Sequence, residues 1–223
     1  MLDSKYQKFY DEIVKKIKKK KIFTDKLHTL TYKTDAYFSR LIPKIVIKTD
    51  NAKEVQDIIE LSHSMNLSIT FRAAGTSLSG QAISDSILII TSRNFSNFKI
   101  SPDASFISLQ PALTGAQVNG LLARYSKKIG PDPASINAAM IGGIAANNAS
   151  GMCCGISQNS YKTLKSMKLI FADGTKLDTG CQESKDAFRK THGDFLKDLK
   201  SFSDDTKNNE ELRARIERKF KIK

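Results

Sequence analysis

Arg72-Ala-Ala-Gly-Thr-Ser-Leu-Ser-Gly-Gln81 is followed, some sixty residues on, by Gly130-Pro-Asp-Pro-Ala-Ser135 and then Met140-Ile-Gly-Gly-Ile-Ala-Ala-Asn-Asn-Ala-Ser-Gly151. Stretches so rich in glycine and hydroxyl groups neither fill a core nor stiffen a helix, and ordering them costs backbone entropy. Close approach of main chain to a phosphate-bearing ligand accounts for that cost. Together they read as two halves of one dinucleotide site.

The first stretch lacks the Gly-Lys-Ser/Thr ending of a P-loop, and Gly75 to Gly80 lacks the glycine triad that opens a Rossmann helix. What remains is an arginine and then a loop of small residues whose N–H groups can form an anion nest. Gly75 and Gly80 permit positive φ, Thr76, Ser77 and Ser79 add hydroxyl donors, and Arg72 adds charge at the rim. A tight surface turn is the competing reading. In the second stretch Gly142-Gly143 and Ala145-Ala146 allow tight packing, while Asn147, Asn148 and Ser150 offer polar groups to a ligand. Close packing of a small-residue helix on a sheet competes there.

Working outward, Lys44-Ile-Val-Ile47 reads as a buried strand, and Asn51 with Glu54 resembles a capping box. Val55, Ile58, Ile59 and Leu61 continue a helix, and Leu67-Ser-Ile-Thr-Phe71 is a second strand, so a right-handed parallel crossover is predicted. The strands Ser86–Thr91, Phe98–Ile100 and Phe106–Gln110 have short connections, which predicts antiparallel pairing. Thr114 with Gln117 caps a helix whose buried stripe is Val118, Leu121, Leu122 and Tyr125. Leu164–Ala172 and Thr175–Asp178 are predicted strands about an Asp173-Gly174 turn.

The chain of 223 residues, 40% hydrophobic, can bury a core. No window approaches the roughly 18 apolar residues of a membrane span, and the N-terminus is not a signal-peptide pattern, so a cytoplasmic location is expected. The net charge of +13 is mostly terminal: residues 1–50 carry 13 Lys or Arg against 6 Asp or Glu, while residues 51–199 carry 15 against 12. The run Lys15–Lys21 supplies much of it, on a predicted helix with Leu2, Tyr6, Phe9, Tyr10, Ile13, Val14 and Ile17 on one face. A solvated helix face or a packing arm is the leading reading, with contact to anionic lipid at a membrane periphery or to nucleic acid as the alternative. The run lacks interleaved aromatics, so no nucleic-acid partner is expected. Cys153, Cys154 and Cys181 match neither a disulfide framework nor a zinc spacing, and His28, His63 and His192 share no ligand pattern; no metal site is expected.

The order of Arg-Ala-Ala-Gly-Thr-Ser-Leu-Ser-Gly-Gln, Gly-Pro-Asp-Pro-Ala-Ser, Ile-Gly-Gly, Asn-Asn-Ala-Ser-Gly and a strand ending Ala-Asp-Gly resembles the FAD-binding domain of the vanillyl-alcohol oxidase superfamily. The nearest group is the FAD-linked D-lactate and D-2-hydroxyglutarate dehydrogenases. Asn147-Asn-Ala-Ser-Gly-Met-Cys-Cys-Gly155 with Gln158-Asn-Ser-Tyr161 looks like its subgroup of very large enzymes with iron–sulfur segments. The resemblance covers roughly residues 30 to 180. It implies an α+β, PCMH-type FAD-binding fold, in which a small parallel βαβ subdomain precedes a larger, mainly antiparallel sheet with helices. The expected divisions are a basic amphipathic helix in residues 1–30, the βαβ subdomain with the pyrophosphate loop in 31–92, a second FAD-binding subdomain in 93–200, and a charged tail in 201–223 anchored by Leu212, Ile216 and Phe220.

By the same resemblance Ala73, Ala74, Gly75, Thr76, Ser77, Leu78, Ser79, Gly80 and Gln81 wrap the FAD pyrophosphate, with Arg72 at the loop's start. Pro131, Asp132, Pro133, Ser135, Gly142, Gly143, Asn148 and Gly151 line the flavin and adenosine portions. The first loop has no histidine, so FAD is expected to be non-covalent. Relatives continue into a cap domain, so the chain reads as the N-terminal part of a longer oxidoreductase. No catalytic residue is assigned within it, and any iron–sulfur cluster is expected only in the part beyond it. The implied activity is oxidation of a D-2-hydroxyacid, D-lactate first, with a quinone or cytochrome acceptor by analogy alone. An oxidase of another substrate class and a non-catalytic flavin binder are the alternatives.

Overall fold

The computed structural model describes residues 2–219, so the expected anchor Phe220 lies outside the described residues. Two compact units divide it, one running to Lys165 with Phe171–Thr175, the other formed by Ser166–Ile170 and the residues from Lys176 on.

The first unit begins with helix α1 (Ser4–Ile13). The helix predicted across residues 1–30 ends there: Lys19–Lys21 form one 3-10 turn, and strand β1 (Ile22–Phe23) and helix α2 (Lys26–Thr31) follow. Tertiary pairing explains the break. The Lys21 ammonium binds the Asp50 and Glu54 carboxylates, and Lys16 reaches Asp57 at 3.3 Å. Phe9, Ile13 and Ile17 are buried in the core with Leu2, Tyr6, Tyr10 and Val14 packed beside them, so the arm is a packing element.

Strand β2 (Ile45–Thr49), helix α3 (Ala52–Ser64), strand β3 (Ile69–Arg72) and strand β4 (Ile87–Thr91) form the centre. Asn51 Oδ1 accepts from Glu54 N at 3.0 Å, while the Glu54 carboxylate accepts from Asp50 N at 2.8 Å, one residue earlier than a strict capping box. The sheet order is β1-β2-β4-β3, with β4 parallel to both neighbours: Ile45 stands opposite Ile87, and Ile69 opposite Ile87 on the other side. This corrects the antiparallel pairing expected for Ser86–Thr91. Connection length misled; the unbroken apolar run Ile87-Leu-Ile-Ile90 is the mark of a strand covered on both faces. Ile87 and Ile89 pack with Ile45, Ile47 and Ile58, whereas Leu88 and Ile90 pack with Val46 on the opposite face.

Strands β5 (Phe98–Ile100) and β6 (Ile107–Leu109) pair antiparallel, as expected. Helix α4 (Gly115–Leu122) carries the full Thr114/Gln117 capping box and buries Val118 and Leu122. Short helices α5 (Ile141–Ala146) and α6 (Ser160–Thr163) follow. At the expected turn Gly174 takes φ +87°, and its N–H donates to Phe171 O at 2.9 Å. In the second unit strands β7 (Lys168–Ile170) and β8 (Lys176–Asp178) pair antiparallel, followed by helices α7 (Gln182–Thr191), α8 (Gly193–Asn208) and α9 (Glu210–Lys219). Among the described residues the antiparallel strand pairs of this α+β fold are β1–β2 at the edge of the main sheet and two short ribbons, β5–β6 and β7–β8.

Candidate functional site: a glycine cradle beside the parallel sheet

Because β3 and β4 are adjacent and parallel, the chain must travel back between them, and residues 73–86 do so with no helix. Parallel neighbours usually need a crossover of a dozen or more residues. Here the site loop is the crossover. Gly75 and Gly80 turn it at φ +71° and +70°, a region that costs an L-residue about 1–2 kcal/mol. Ser77 Oγ donates to Gln81 Oε1 at 2.9 Å and accepts from Ser79 N at 3.2 Å, so the loop braces itself through side chains. Among the described residues the amides of 74–78 have no backbone acceptor. Such a run of untied donors is the makings of an anion nest.

The second wall comes from Pro133 to Ala149. Ile141 N donates to Leu113 O at 2.8 Å and Gly142 N to Pro111 O at 3.0 Å, fixing the start of α5. A Cβ on Gly142 would stand 2.7 Å from Pro111 Cβ, so only glycine allows that approach. On Gly143 a Cβ would stand 3.5 Å from that of Ala73, so the two stretches meet here. Between them lies a cavity of about 300 Å³.

Of the residues expected in the site, Ala73, Ala74, Gly75, Thr76, Ser77 and Gln81 line this cavity from the first loop, and Pro133, Ser135 and Gly143 from the second stretch. The others stand behind the surface or away from it. Leu78 is exposed at the loop tip with Ser79. Gly80 packs beside Ser39 and Ile83. Pro131 is buried. The Asp132 carboxylate accepts from Cys153 N at 3.2 Å and Cys154 N at 3.1 Å, and hydrogen bonding from Cys154, with Cys153 adding to it, holds it below the usual carboxylate range. Gly151 lies so near Asp132 that any Cβ would overlap the Asp132 carbonyl oxygen. Asn148, at φ +45°, accepts from Tyr161 N at 2.8 Å through Oδ1 and so ties α6 to the end of α5.

Arg72 departs from the expected rim position. Its Nη1 donates to Thr34 O at 2.6 Å and Ala82 O at 3.3 Å, and its guanidinium lies 5.8 Å from the Tyr32 ring centre. Burial pulls its pKa below the usual arginine value, and Asp35 opposes that shift.

The cavity also has an apolar side that chemistry-bearing motifs do not reveal: Phe71, Ala82, Ala139, Met140, Ile144 and Ala146, with Asn147 and Ala149 beside them. Most fall inside the stretch from Met140 to Gly151, where an apolar wall carries no signal of its own. No lining residue has a titratable side chain. The cavity's polar side chains are the Thr76, Ser77 and Ser135 hydroxyls and the Gln81 and Asn147 amides, groups that can bind and orient a ligand.

A family model described as FAD binding domain matches residues 43–180, which include both walls. The chain belongs to that family. Among curated proteins it is 28% identical over 163 residues to glycolate oxidase subunit GlcD of Escherichia coli K12, covering 69% of this chain and 32% of that protein. To D-lactate dehydrogenase of Archaeoglobus fulgidus it is 23% identical over 141 residues, covering 61% and 31%. The fold matches the structure of p-cresol methylhydroxylase with substrate bound at a TM-score of 0.69 and 12% identity, covering 82% of this chain and 38% of the other. That is the PCMH-type fold expected from the motifs. The chain spans about a third of the length of these relatives.

The residues present fit FAD. The untied amides of 74–78 with the Thr76 and Ser77 hydroxyls have the donor chemistry a pyrophosphate would need, and the apolar side from Phe71 to Ile144 has the character ring systems would need. Neutral N–H donors bind two phosphate charges without burying lysines beside them.

Proposed function

We propose that this chain is the FAD-binding portion of a flavin-dependent oxidoreductase that oxidises a D-2-hydroxyacid, D-lactate first among them. The observation that carries the reading is the cavity where residues 73–77 face Pro133, Ser135 and Gly143, all within the matched family segment. Glycolate and D-lactate, for which two of the relatives are named, are both 2-hydroxyacid anions, which supports the substrate class. Bound FAD would supply the hydride acceptor for oxidation at the hydroxyl-bearing carbon. This chain's part is to hold the pyrophosphate on the amides of 74–78, seat the rings against Met140 and Ile144, and exclude water there.

The lining holds no histidine, cysteine, tyrosine or carboxylate, which supports non-covalent attachment. For the same reason the group that takes the substrate's hydroxyl proton lies outside this cavity. On this reading residues 31–92 and 93–200 act as the two FAD-binding subdomains, and the protein works in the cytoplasm.

The test is to incubate the purified chain with FAD, remove free flavin by gel filtration and acidify. Flavin should travel with the protein and leave it intact on acid treatment. Protein that retains no flavin and gains no thermal stability at saturating FAD would overturn the cofactor assignment. With a substrate-holding region of the relatives' kind joined to it, the flavin-loaded chain should be bleached by anaerobic D-lactate in preference to L-lactate, and the loaded 223-residue chain alone should stay unbleached.

A further inference from the structure

Residues 32–42 form a short closed segment outside the two glycine stretches. Leu41 N donates to Lys33 O at 3.0 Å, Thr34 bridges Arg40, and Tyr37 N donates to Asp35 Oδ1 at 2.9 Å. The segment meets the cradle loop directly at Gly80 and, through Arg72, at Gly75. At the first, the Arg72 guanidinium fills the space a Gly75 side chain would take, with three of its atoms 2.5–2.6 Å from the Cβ position. The same guanidinium holds Thr34 O in the segment and Ala82 O at the far end of the loop. At the second, Ser39 Cβ lies 3.9 Å from the Cβ position of Gly80. Asp35 adds opposite charge facing Arg72, and its buried Oδ2 has no hydrogen-bond partner among the described residues.

An arginine placed to ligate phosphate would present its fork to the cavity. This one is committed to two main-chain carbonyls and the Tyr32 face, and Arg72 is not among the cavity's lining residues. We propose that Arg72 is a positioning residue: it clamps the 32–42 segment to both ends of the 73–81 loop and thereby sets the loop's shape for pyrophosphate, without ligating the anion. This rests on the FAD reading above. The guanidinium plane is essential: Nη1 alone donates to both carbonyls, while Nη2, Cζ and Nε cover Gly75 and the plane lies by the Tyr32 ring; a lysine ammonium can meet a carbonyl but has no plane to cover Gly75. A phosphate ligand, by contrast, would tolerate lysine as a point charge.

The experiment compares wild type, Arg72→Lys, Arg72→Met and Asp35→Asn in two measurements. One is FAD affinity by flavin fluorescence; the other is hydrogen exchange at the Leu41 amide in flavin-free protein, with β4 (Ile87–Thr91) as an internal reference. Arg72→Lys and Arg72→Met should each weaken FAD binding at least about tenfold and to a similar extent. Both should speed Leu41 exchange about tenfold and leave β4 protected. Asp35→Asn should shift both readouts in the same direction by about threefold, which keeps the question open to test if the Arg72 variants do not fold.

Near wild-type FAD affinity in Arg72→Lys beside a large loss in Arg72→Met would mark direct ligation and overturn the proposal. So would unchanged Leu41 exchange in the Arg72 variants or, where those do not fold, in Asp35→Asn. Failure of wild type to bind FAD counts against the cofactor reading instead, and the exchange comparison still decides the clamp.

Discussion

The two glycine stretches use the same residue for different physics. In the first, Gly75 and Gly80 sit at positive φ and supply conformations that L-residues resist. In the second, Gly130, Gly142 and Gly151 have ordinary backbone angles but face the Gln158 main chain, Pro111 and the Asp132 main chain at distances no side chain permits. One set shapes a loop; the other lets backbone segments stack to make the wall across the cavity from it. Substitution in the second stretch should therefore cost the fold, and substitution in the first should cost the ligand.

That contrast breaks most readily at Gly151. Gly151→Ala forces a methyl into the Asp132 carbonyl, which cannot swing aside, and should lower unfolding free energy in urea by about 3 kcal/mol, at the upper end of overpacking. Gly142→Ala meets Pro111 Cβ at 2.7 Å and should cost about 2 kcal/mol in the same assay. Gly80→Ala has its nearest neighbour at 3.8 Å, so only the φ penalty applies, about 1 kcal/mol. A loss at Gly80 as large as that at Gly151 would erase the distinction.

The smallest effect concerns Asp132, which the second wall uses as a brace. Its folded pKa is depressed by bonds from Cys154 and Cys153, so its contribution is present above the ordinary carboxylate value and is lost as pH falls through and below it. Asp132→Asn should be less stable than wild type at about pH 6, and the gap should close toward about pH 3. A gap independent of pH would show that the carboxylate charge plays no part in holding Cys153 and Cys154.

Local rules carried much of the fold. The Thr114/Gln117 and Asn51/Glu54 signatures mark true helix starts, and Ile45–Ile47 of the expected run Lys44–Ile47 lie on a buried strand, because capping and apolar runs act within a few residues. The place of Ile87–Thr91 at the sheet centre was harder to read, since a run with no hydrophobic period does not say which neighbours cover it. The early end of α1 depends on Asp50 and Glu54, thirty residues and more downstream. In the site, the meeting of Ala73 with Gly143 follows from two motifs that share one ligand chemistry. The direction of the Arg72 side chain is not legible in the sequence, because residue type reports charge and not direction: its carbonyl partners Thr34 and Ala82 form no motif. Met140 and Ile144 were passed over as wall residues because apolar side chains look alike in a core and in a ligand cavity.

The measurement that reaches furthest is a parallel FAD titration of wild type, Gly75→Ala and Gly142→Ala, with the melting temperature of each flavin-free protein. A methyl at Gly75 displaces the end of the Arg72 side chain and loosens its bonds to Thr34 and Ala82, so the loop loses its shape while the packed sheet and the second wall remain. Gly75→Ala should melt within a few degrees of wild type yet bind FAD at least about tenfold more weakly, with Gly142→Ala showing the larger drop in melting temperature. FAD affinity unchanged in Gly75→Ala would contradict the assignment of residues 73–81 as the pyrophosphate cradle.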